Sequence, residues 1–152
     1  MTTQLEPRWL SLEQQRIWRS FLNGMAAINE KLEAELRPFD LDLGEYEILV
    51  HLSESPQHAL RMSDLADQVR QSRSRLTHTI ARMERKGLVI RAACPSDRRG
   101  VISTMTPAGY RLLVEAAPYH VESVRRALVD PVDPADFQAL GRAMDAVLGM
   151  TD

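Results

Sequence analysis

The sequence is poor in cysteine and in aromatic residues, and it has no long apolar run. Cys94 is the single cysteine among 152 residues, so no internal disulfide can form and the reducing cytoplasm is the expected compartment. Aromatic residues make up 5%, so the core must come from aliphatic side chains. The apolar stretches are too short for a membrane span, and the first residues lack the pattern of a signal peptide. Length and composition therefore predict one soluble globular domain.

Sequence motifs of catalysis and metal binding are also missing. There is no glycine-rich phosphate loop and no Gly-x-Ser-x-Gly turn. The histidines are spread along the chain without i,i+4 spacing, and no second cysteine accompanies them. These histidines are His51, His58, His78 and His120. We therefore expect no enzyme, no cofactor and no metal site.

Charge is distributed unevenly along the chain. Residues 61–100 contain ten lysines and arginines against four acidic residues, a local charge of +6, whereas the remainder carries −8 and the total is −2. A basic block inside an acidic protein indicates a local contact with a polyanion. The alternative is a solvated helix face, and charge alone does not decide between the two.

Spacing of apolar residues and capping signals predict a mostly helical chain. Ser11 and Asp42 each begin a capping box that opens a helix, and Ser63 is the expected N-cap of a third. A fourth helix spans residues 72–86 with Leu76 and two further apolar residues facing inward, and Gly87 ends it. Residues 107 and 134 are prolines placed to open two more helices.

Two short apolar segments, residues 88–90 and 101–105, predict strands joined by a polar loop at residues 95–100. The expected fold class is mostly α with a small β-hairpin wing. It is a winged helix-turn-helix with N- and C-terminal dimerisation helices. We expect a single domain over residues 1–152, with dimerisation helices at about 11–37 and 107–150 and the winged-helix unit at about 42–106.

The terminal helices carry long apolar stripes that flank a compact middle unit. Two isolated arms of this kind would expose a large apolar patch, so a symmetric homodimer is the simplest explanation. Packing within the chain is the alternative.

The fourth helix presents hydroxyl, imidazole and guanidinium groups once its inward residues are removed. Arginine can bond guanine in a bidentate manner, and serine or threonine can bond bases or phosphates. No acidic residue occurs between residues 72 and 83, although a solvated helix would normally mix charges. The candidate DNA-binding residues of this helix are Ser72, Arg73, Ser74, Arg75, Thr77, His78 and Arg82.

The loop of the hairpin adds two arginines, Arg98 and Arg99, beside Asp97. A narrow minor groove attracts inserted arginine, and Asp97 is placed to hold Arg99 by an ion pair. An ordinary solvated turn is the alternative, but the position directly after an arginine-rich helix favours DNA contact.

Taken together, these segments resemble the MarR-type transcriptional regulators over about residues 11–150. The resemblance rests on the hydroxyl-rich helix at 72–78, the Glu-basic-basic-Gly-Leu-Val segment within 82–91, the Asp-x-Arg wing at 97–99 and the Thr-Pro-x-Gly start at 106–109. The resemblance implies an obligate homodimer that binds a pseudo-palindromic operator. It also implies that Arg99, at the tip of the wing, enters the minor groove and that Asp97 is the ion-pair partner of Arg99. The terminal helices would form the dimer interface.

Many members of that family release DNA when a small anionic aromatic molecule occupies a cleft between the dimer helices and the winged helix. The candidate effector-binding residues here are Arg16, Arg19, His51 and His120. The simpler interpretation is that the two arginines face solvent.

Two other functions stay open at this stage. Cys94 lies near Arg91, whose charge would favour thiol oxidation and a redox-responsive regulator. The other alternative is that the chain is a winged-helix module that binds a protein instead of DNA. Such a module would be expected to lose the basic recognition helix and the wing arginines, and this sequence keeps both.

Overall fold

The computed structural model of the protein describes residues 6–149. The helices are α1 (Leu12–Leu36), α2 (Leu43–Glu54), α3 (Met62–Gln68), α4 (Arg73–Arg85), α5 (Pro107–Val124) and α6 (Pro134–Gly149). The strands are β1 (Ala59–Arg61), β2 (Val89–Cys94) and β3 (Asp97–Met105), which form an antiparallel sheet in the order β1-β3-β2. Short 3-10 turns occupy Arg37–Phe39 and Pro56–His58, and a π-helical turn occupies Arg125–Val129. The predicted mostly helical winged fold is confirmed.

Local capping signals place the helix ends where the sequence predicts them. Ser11 and Asp42 both form complete capping boxes with the side chain three residues later. Ser72 accepts a hydrogen bond from the Arg75 amide at 3.2 Å, and Thr106 accepts one from the Gly109 amide at 3.1 Å. These bonds satisfy amides that have no partner within their own helix.

One expectation about the winged-helix unit was wrong, and one strand was not predicted. Ser63 is not an N-cap, because α3 begins at Met62 and the residue before it, Arg61, caps it without a side-chain bond. The sheet also has a third strand, β1, which pairs with β3 from Ala59 to Arg61. A strand of three residues has too few positions to show an alternating pattern, so its pairing depends on β3 and not on its own sequence.

The wing strands are longer than predicted. Cys94 of β2 pairs with Asp97 of β3, which reduces the expected six-residue loop to a turn at Pro95 and Ser96. Strand pairing is made by backbone groups, so it extends through polar residues that the sequence indicates as loop. Residues 97–100 therefore belong to a strand.

The hydrophobic core lies in the winged-helix unit. Side chains of α2, α3 and α4 meet the first residues of β2 and the last residue of β3, and α1 and α5 cover them from one side. The completely buried members are Leu36, Ile48, Leu49, Leu52, Leu65, Ile80, Met83 and Ala116. Gly109 closes this packing, since a Cβ there would overlap the Leu88 carbonyl oxygen. The core therefore fixes α4 and the wing relative to each other.

The terminal helices bury much less. None of the described residues of α6 is buried, and in α1 only Leu32 and Leu36 are. Large apolar side chains are exposed along α1, α5 and α6, and they include Ile17, Trp18, Phe21, Leu22, Met25, Val114, Tyr119, Val121, Phe137 and Val147. Among residues 6–149, no helix combines the length and the apolar character that crossing a bilayer requires.

Candidate nucleic-acid interface

Helix α4 separates its apolar and polar residues into two faces. Leu76, Ile80 and Met83 are buried in the core, as predicted, and Thr79 is buried beside them. The opposite face is exposed and carries Arg73, Ser74, Arg75, Thr77 and His78. Because the core holds the inner face, the outer face is presented on a fixed support.

The charged groups at the N-terminal end of α4 have no ionic partner within residues 6–149. Neither Arg73 nor Arg75 lies within ion-pair distance of a carboxylate in that range. The hydroxyls are partly committed, since Ser72 caps the helix and Thr77 donates to the Arg73 carbonyl at 2.8 Å. The two guanidinium groups are thus available for an external anion.

Arg82 is placed differently from the other candidates on α4. Its Nε donates to Glu45 Oε1 at 2.8 Å, and its Nη2 donates to Asp42 Oδ2 at 2.6 Å. Both partners stand at the start of α2. The Arg82 guanidinium, which the sequence predicts to contact a base, is therefore already bonded to two carboxylates of the same chain.

Glu45 is a buried carboxylate beside the candidate interface whose bonds to α4 the sequence did not predict. Its side chain is 1% exposed and accepts from Arg82, from Lys86 Nζ at 3.1 Å and from the Asp42 amide at 3.0 Å. Burial raises the pKa of Glu45, but the hydrogen bonds from Arg82, Asp42 and Lys86 outweigh burial and leave the pKa below its ordinary value. The capping box indicated its local role, but not its partners 37 and 41 residues away.

The wing presents Arg98 and Arg99 on exposed residues at the start of β3. The expected ion pair between Asp97 and the Arg99 side chain does not form. Asp97 Oδ1 instead accepts from the Arg99 backbone amide at 3.0 Å, and Oδ2 pairs with Arg61 at 3.5 Å. The Arg99 guanidinium is left free of a carboxylate in the described chain.

A groove of about 380 Å³ runs between α4 and the wing. Four arginines line it together with hydroxyl groups: Arg61, Arg73, Arg91 and Arg99. Arg91 is tethered to Glu84 at 2.8 Å, which joins β2 to α4. Arg61 and Arg91 were not among the predicted site residues, although both lie in the basic block. Arg61 and Arg91 are each paired with a carboxylate, so the uncompensated positive charge of the groove comes from Arg73 and Arg99.

The predicted effector residues do not gather around one cavity. Arg16 and Arg19 are exposed on α1, and His51 and His120 are half-buried on α2 and α5. No hydrogen bond or ion pair joins any two of them within the described chain. None of them lines the groove beside the wing, the groove at the start of α2, or the groove between α1 and α5.

His120 has a specific environment of its own. Its ring lies 4.2 Å from the ring of Tyr46, measured between centroids, and its Nδ1 is buried with no hydrogen-bond partner among the described residues. Burial lowers the pKa of His120, which favours the neutral ring. This contact joins α5 to α2.

Cys94 is buried beneath the wing turn, and its charged neighbour is not the predicted one. Arg61 Nη2 lies 3.4 Å from the sulfur, whereas Arg91 pairs with Glu84. Hydrogen bonds from Ser96 and the charge of Arg61 lower the pKa of the Cys94 thiol. No cluster of three metal-ligating side chains occurs in residues 6–149.

Comparison with known proteins connects this geometry to one family. Residues 39–100 match the family model described as MarR family. The crystal structure of AbsC, a MarR family transcriptional regulator from Streptomyces coelicolor, is 43% identical with a TM-score of 0.90, covering 95% of this chain and 98% of that one. Sco3205, a MarR family regulator from the same organism crystallised with DNA, is 40% identical with a TM-score of 0.90, covering 94% of this chain and 90% of that one.

A more distant relative is the HTH-type transcriptional regulator YfiV of Bacillus subtilis. It is 28% identical over 105 residues, which are 69% of this chain. The match spans 64% of the length of YfiV, slightly less than two thirds.

Proposed function

Since this chain belongs to the MarR family of DNA-binding winged helix-turn-helix transcriptional regulators, we propose that it is a repressor that binds a pseudo-palindromic operator as a homodimer. The observation that carries the proposal is the exposed face of α4 from Arg73 to His78. This face is cationic, it makes no ion pair with any residue from 6 to 149, and it rests on a buried core. In helix-turn-helix proteins this part of the second helix contacts base edges in the major groove.

The individual groups fit distinct contacts with DNA. Arg73 and Arg75 suit bidentate bonds to guanine or contacts with phosphates, and Ser74, Thr77 and His78 offer shorter polar groups to base edges. Ser72 caps the helix, and the N-terminus of the helix would favour a nearby phosphate. Arg82 contributes by holding the helix in place.

The wing extends the same surface. Arg98 and Arg99 are exposed beside the groove between α4 and the wing, so we assign them to the flanking minor groove or to its phosphates. Asp97 orients the wing through Arg61 and through the Arg99 amide.

Exposed apolar side chains of α1, α5 and α6 support the homodimer. Their number and size on helices with few buried residues favour a second copy as the covering surface. The winged-helix unit at about 42–106 would then bind DNA, with the helices at about 11–37 and 107–150 as the dimer interface. Such a dimer would place two copies of α4 in successive major grooves, about 34–36 Å apart.

Fluorescence-anisotropy titration tests the proposal. The duplexes are the intergenic DNA upstream of the protein's own gene and a scrambled sequence, each titrated over a salt series. We expect tighter binding to the first, with a log–log slope of about −0.9 for each neutralised phosphate. Equal affinity for both duplexes would contradict sequence-specific binding, and a lack of salt dependence would favour a protein-binding winged helix.

Two variants locate the contacts. We call the exposed face of α4 from Arg73 to His78 the reading face. Arg75→Ala is expected to weaken specific binding more than non-specific binding. Arg85→Ala, on the same helix but outside the reading face, is the matched control. Arg99→Ala is expected to weaken DNA binding and to leave thermal stability unchanged, because its side chain is exposed. Equal losses on both duplexes for Arg75→Ala would assign Arg75 to a phosphate.

Signals that release the DNA are a separate part of the proposal. A small anionic aromatic effector acting near Arg16, Arg19, His51 or His120 stays a prediction from the family resemblance. The lowered pKa of Cys94 favours a redox response as the second candidate, and its burial opposes rapid reaction. A regulator of this kind acts where the DNA is, so we place it in the cytoplasm.

A further inference from the structure

An ionic cluster joins the start of α2 to the C-terminal half of α4. We name it the α2–α4 clamp, and its members are Asp42, Glu45, Arg82 and Lys86. Arg82 reaches both acids, at 2.6 Å to Asp42 and 2.8 Å to Glu45. Lys86 Nζ lies 3.1 Å from both oxygens of Glu45. One buried carboxylate therefore receives two cations from the helix that carries the reading face.

The negative charge of Glu45 exceeds what the capping box requires. A glutamine at this position satisfies the same cap, because only a side-chain oxygen is needed to accept from the Asp42 amide. Taking a carboxylate out of water is costly unless it is paired and hydrogen-bonded. The negative charge therefore serves the second role of this side chain, which is to bond Arg82 of α4.

The clamp lies in the C-terminal half of α4, where Arg82 is one helical turn beyond His78, the last residue of the reading face. Arg82 is nine residues from Arg73, which is about 13 Å along an α-helix. A tilt of about 10° at Arg82 would move the first turn by about 2 Å, several times the roughly 0.5 Å tolerance of a positioned site. Small changes at the clamp are thus amplified at the base-reading groups.

The start of α2 is tied to α1 as well. Glu33 Oε1 accepts a hydrogen bond from the Leu43 amide at 3.1 Å. The clamp therefore connects α4 to a point that is itself fixed on α1. Glu33, Asp42 and Arg82 all line one groove of about 520 Å³ beside the exposed residues of α4.

We propose that Glu45 is a positioning residue for DNA recognition, which holds the angle of α4 through Arg82 and thereby sets how well the protein distinguishes its operator from other sequences. The inference rests on the proposed function, since it requires a DNA sequence that the wild-type protein prefers. Glu45 itself touches no DNA in this arrangement.

The test compares Glu45→Gln with Glu47→Gln. Both changes remove one negative charge from α2, but Glu47 is exposed and has no bonding partner within the described residues. The readout is the ratio of the Kd for scrambled DNA to the Kd for operator DNA, corrected for the active fraction by stoichiometric titration. We expect Glu45→Gln to lower this ratio about tenfold and Glu47→Gln to leave it within about twofold of wild type.

This ratio separates positioning from loss of structure. A variant that is merely less stable has a smaller active fraction, and that reduces binding to both duplexes equally. In an Arg82→Gln background, Glu45→Gln should lower the ratio by less than about twofold, because the two residues act as one unit. Independent effects that multiply would contradict action through Arg82.

A second variant keeps the test decisive if Glu45→Gln does not fold. Asp42→Asn retains a good N-cap and removes only the second ion pair of Arg82. We expect a loss of discrimination, of about threefold. If Arg82 instead read a base directly, releasing it would leave the ratio unchanged or raise it, and that outcome overturns the proposal. A wild-type protein without preference would refute the proposed function itself.

Discussion

The winged-helix unit and the terminal helices bury their apolar residues to very different extents. In α2, α3 and α4 the inward side chains reach 0% exposure, as for Ile48, Leu65 and Ile80. In the first half of α1, by contrast, Ile17 is 53% exposed and Trp18 is 52% exposed. One region surrounds a buried core, to which Leu36 of α1 and Ala116 of α5 also contribute, whereas the other has an apolar surface that a single copy leaves exposed. Similar helical sequence patterns therefore serve two purposes, folding and proposed assembly.

The largest effect is expected from breaking the buried core. Ile80→Ala should lower the free energy of unfolding by about 2–5 kcal/mol, because it removes a fully buried side chain and leaves a cavity. Urea denaturation measures the change. Ile90→Ala is the control, since this residue of β2 is 58% exposed, and we expect less than about 0.5 kcal/mol. A similar loss for both variants would contradict the placement of the core.

The second prediction disrupts the exposed apolar surface of the terminal helices. Ile17→Glu should raise the dissociation constant of the proposed dimer by about a hundredfold, because a charge would be buried without a partner. Analytical ultracentrifugation across a dilution series measures it, with Ile90→Glu as the matched control on the wing. If the Ile17 variant stays dimeric at every concentration while its fold is intact, the dimer interface lies elsewhere.

The third prediction concerns the seam between the two regions. Thr106 Oγ1 accepts from the Gly109 amide at the start of α5 and donates to the Gly87 carbonyl at 2.6 Å after α4. Thr106→Ala should cost about 1 kcal/mol of unfolding free energy, as is usual for a lost N-cap. Thermal unfolding of this variant and of Thr106→Ser, which keeps the hydroxyl, measures the contribution of the hydroxyl bonds. Equal losses of stability in the two variants would show that these bonds contribute nothing.

The smallest effect is expected from acid and belongs to the winged-helix unit. The folded protein holds the pKa of Glu45 below its ordinary value of 4.5, so the unfolded chain takes up the proton first as the pH falls. This contribution is complete above pH 4.5 and is lost as the pH falls through the lower pKa of the folded state. Unfolding measured from about pH 6 to pH 3 should show a shallower decline for Glu45→Gln than for wild type. A parallel decline would contradict the assignment.

Features that depend on near neighbours were predictable. The caps at Ser11 and Asp42 and the inner face of α4 follow from spacings of three and four residues, and the structure confirms them, with the cap expected at Ser63 as the exception. The length of the wing strands and the existence of β1 were not predictable, because backbone pairing with a distant strand decides them.

The candidate site divides in the same way. The sequence identifies Arg73, Arg75 and Arg82 as equivalent members of a basic helix. Within the part of the chain that the structure describes, the first two have no carboxylate partner, whereas the third binds residues at the start of α2. Likewise, the sequence predicts an ion pair between Asp97 and Arg99, two residues away, but the Asp97 carboxylate pairs with Arg61. Which cations are already neutralised depends on contacts between residues far apart in the chain.

The sequence by itself determined the class of fold, the family and the elements that carry the basic groups. Apolar periodicity, capping residues and local charge are properties of short segments, and they are expressed wherever the chain folds. The tertiary structure decided which of those groups face outward and which hold the protein together. The physical reason is that an ion pair or a strand ladder requires a partner in space, and the fold alone brings Glu45 to Arg82 and Arg61 to Asp97.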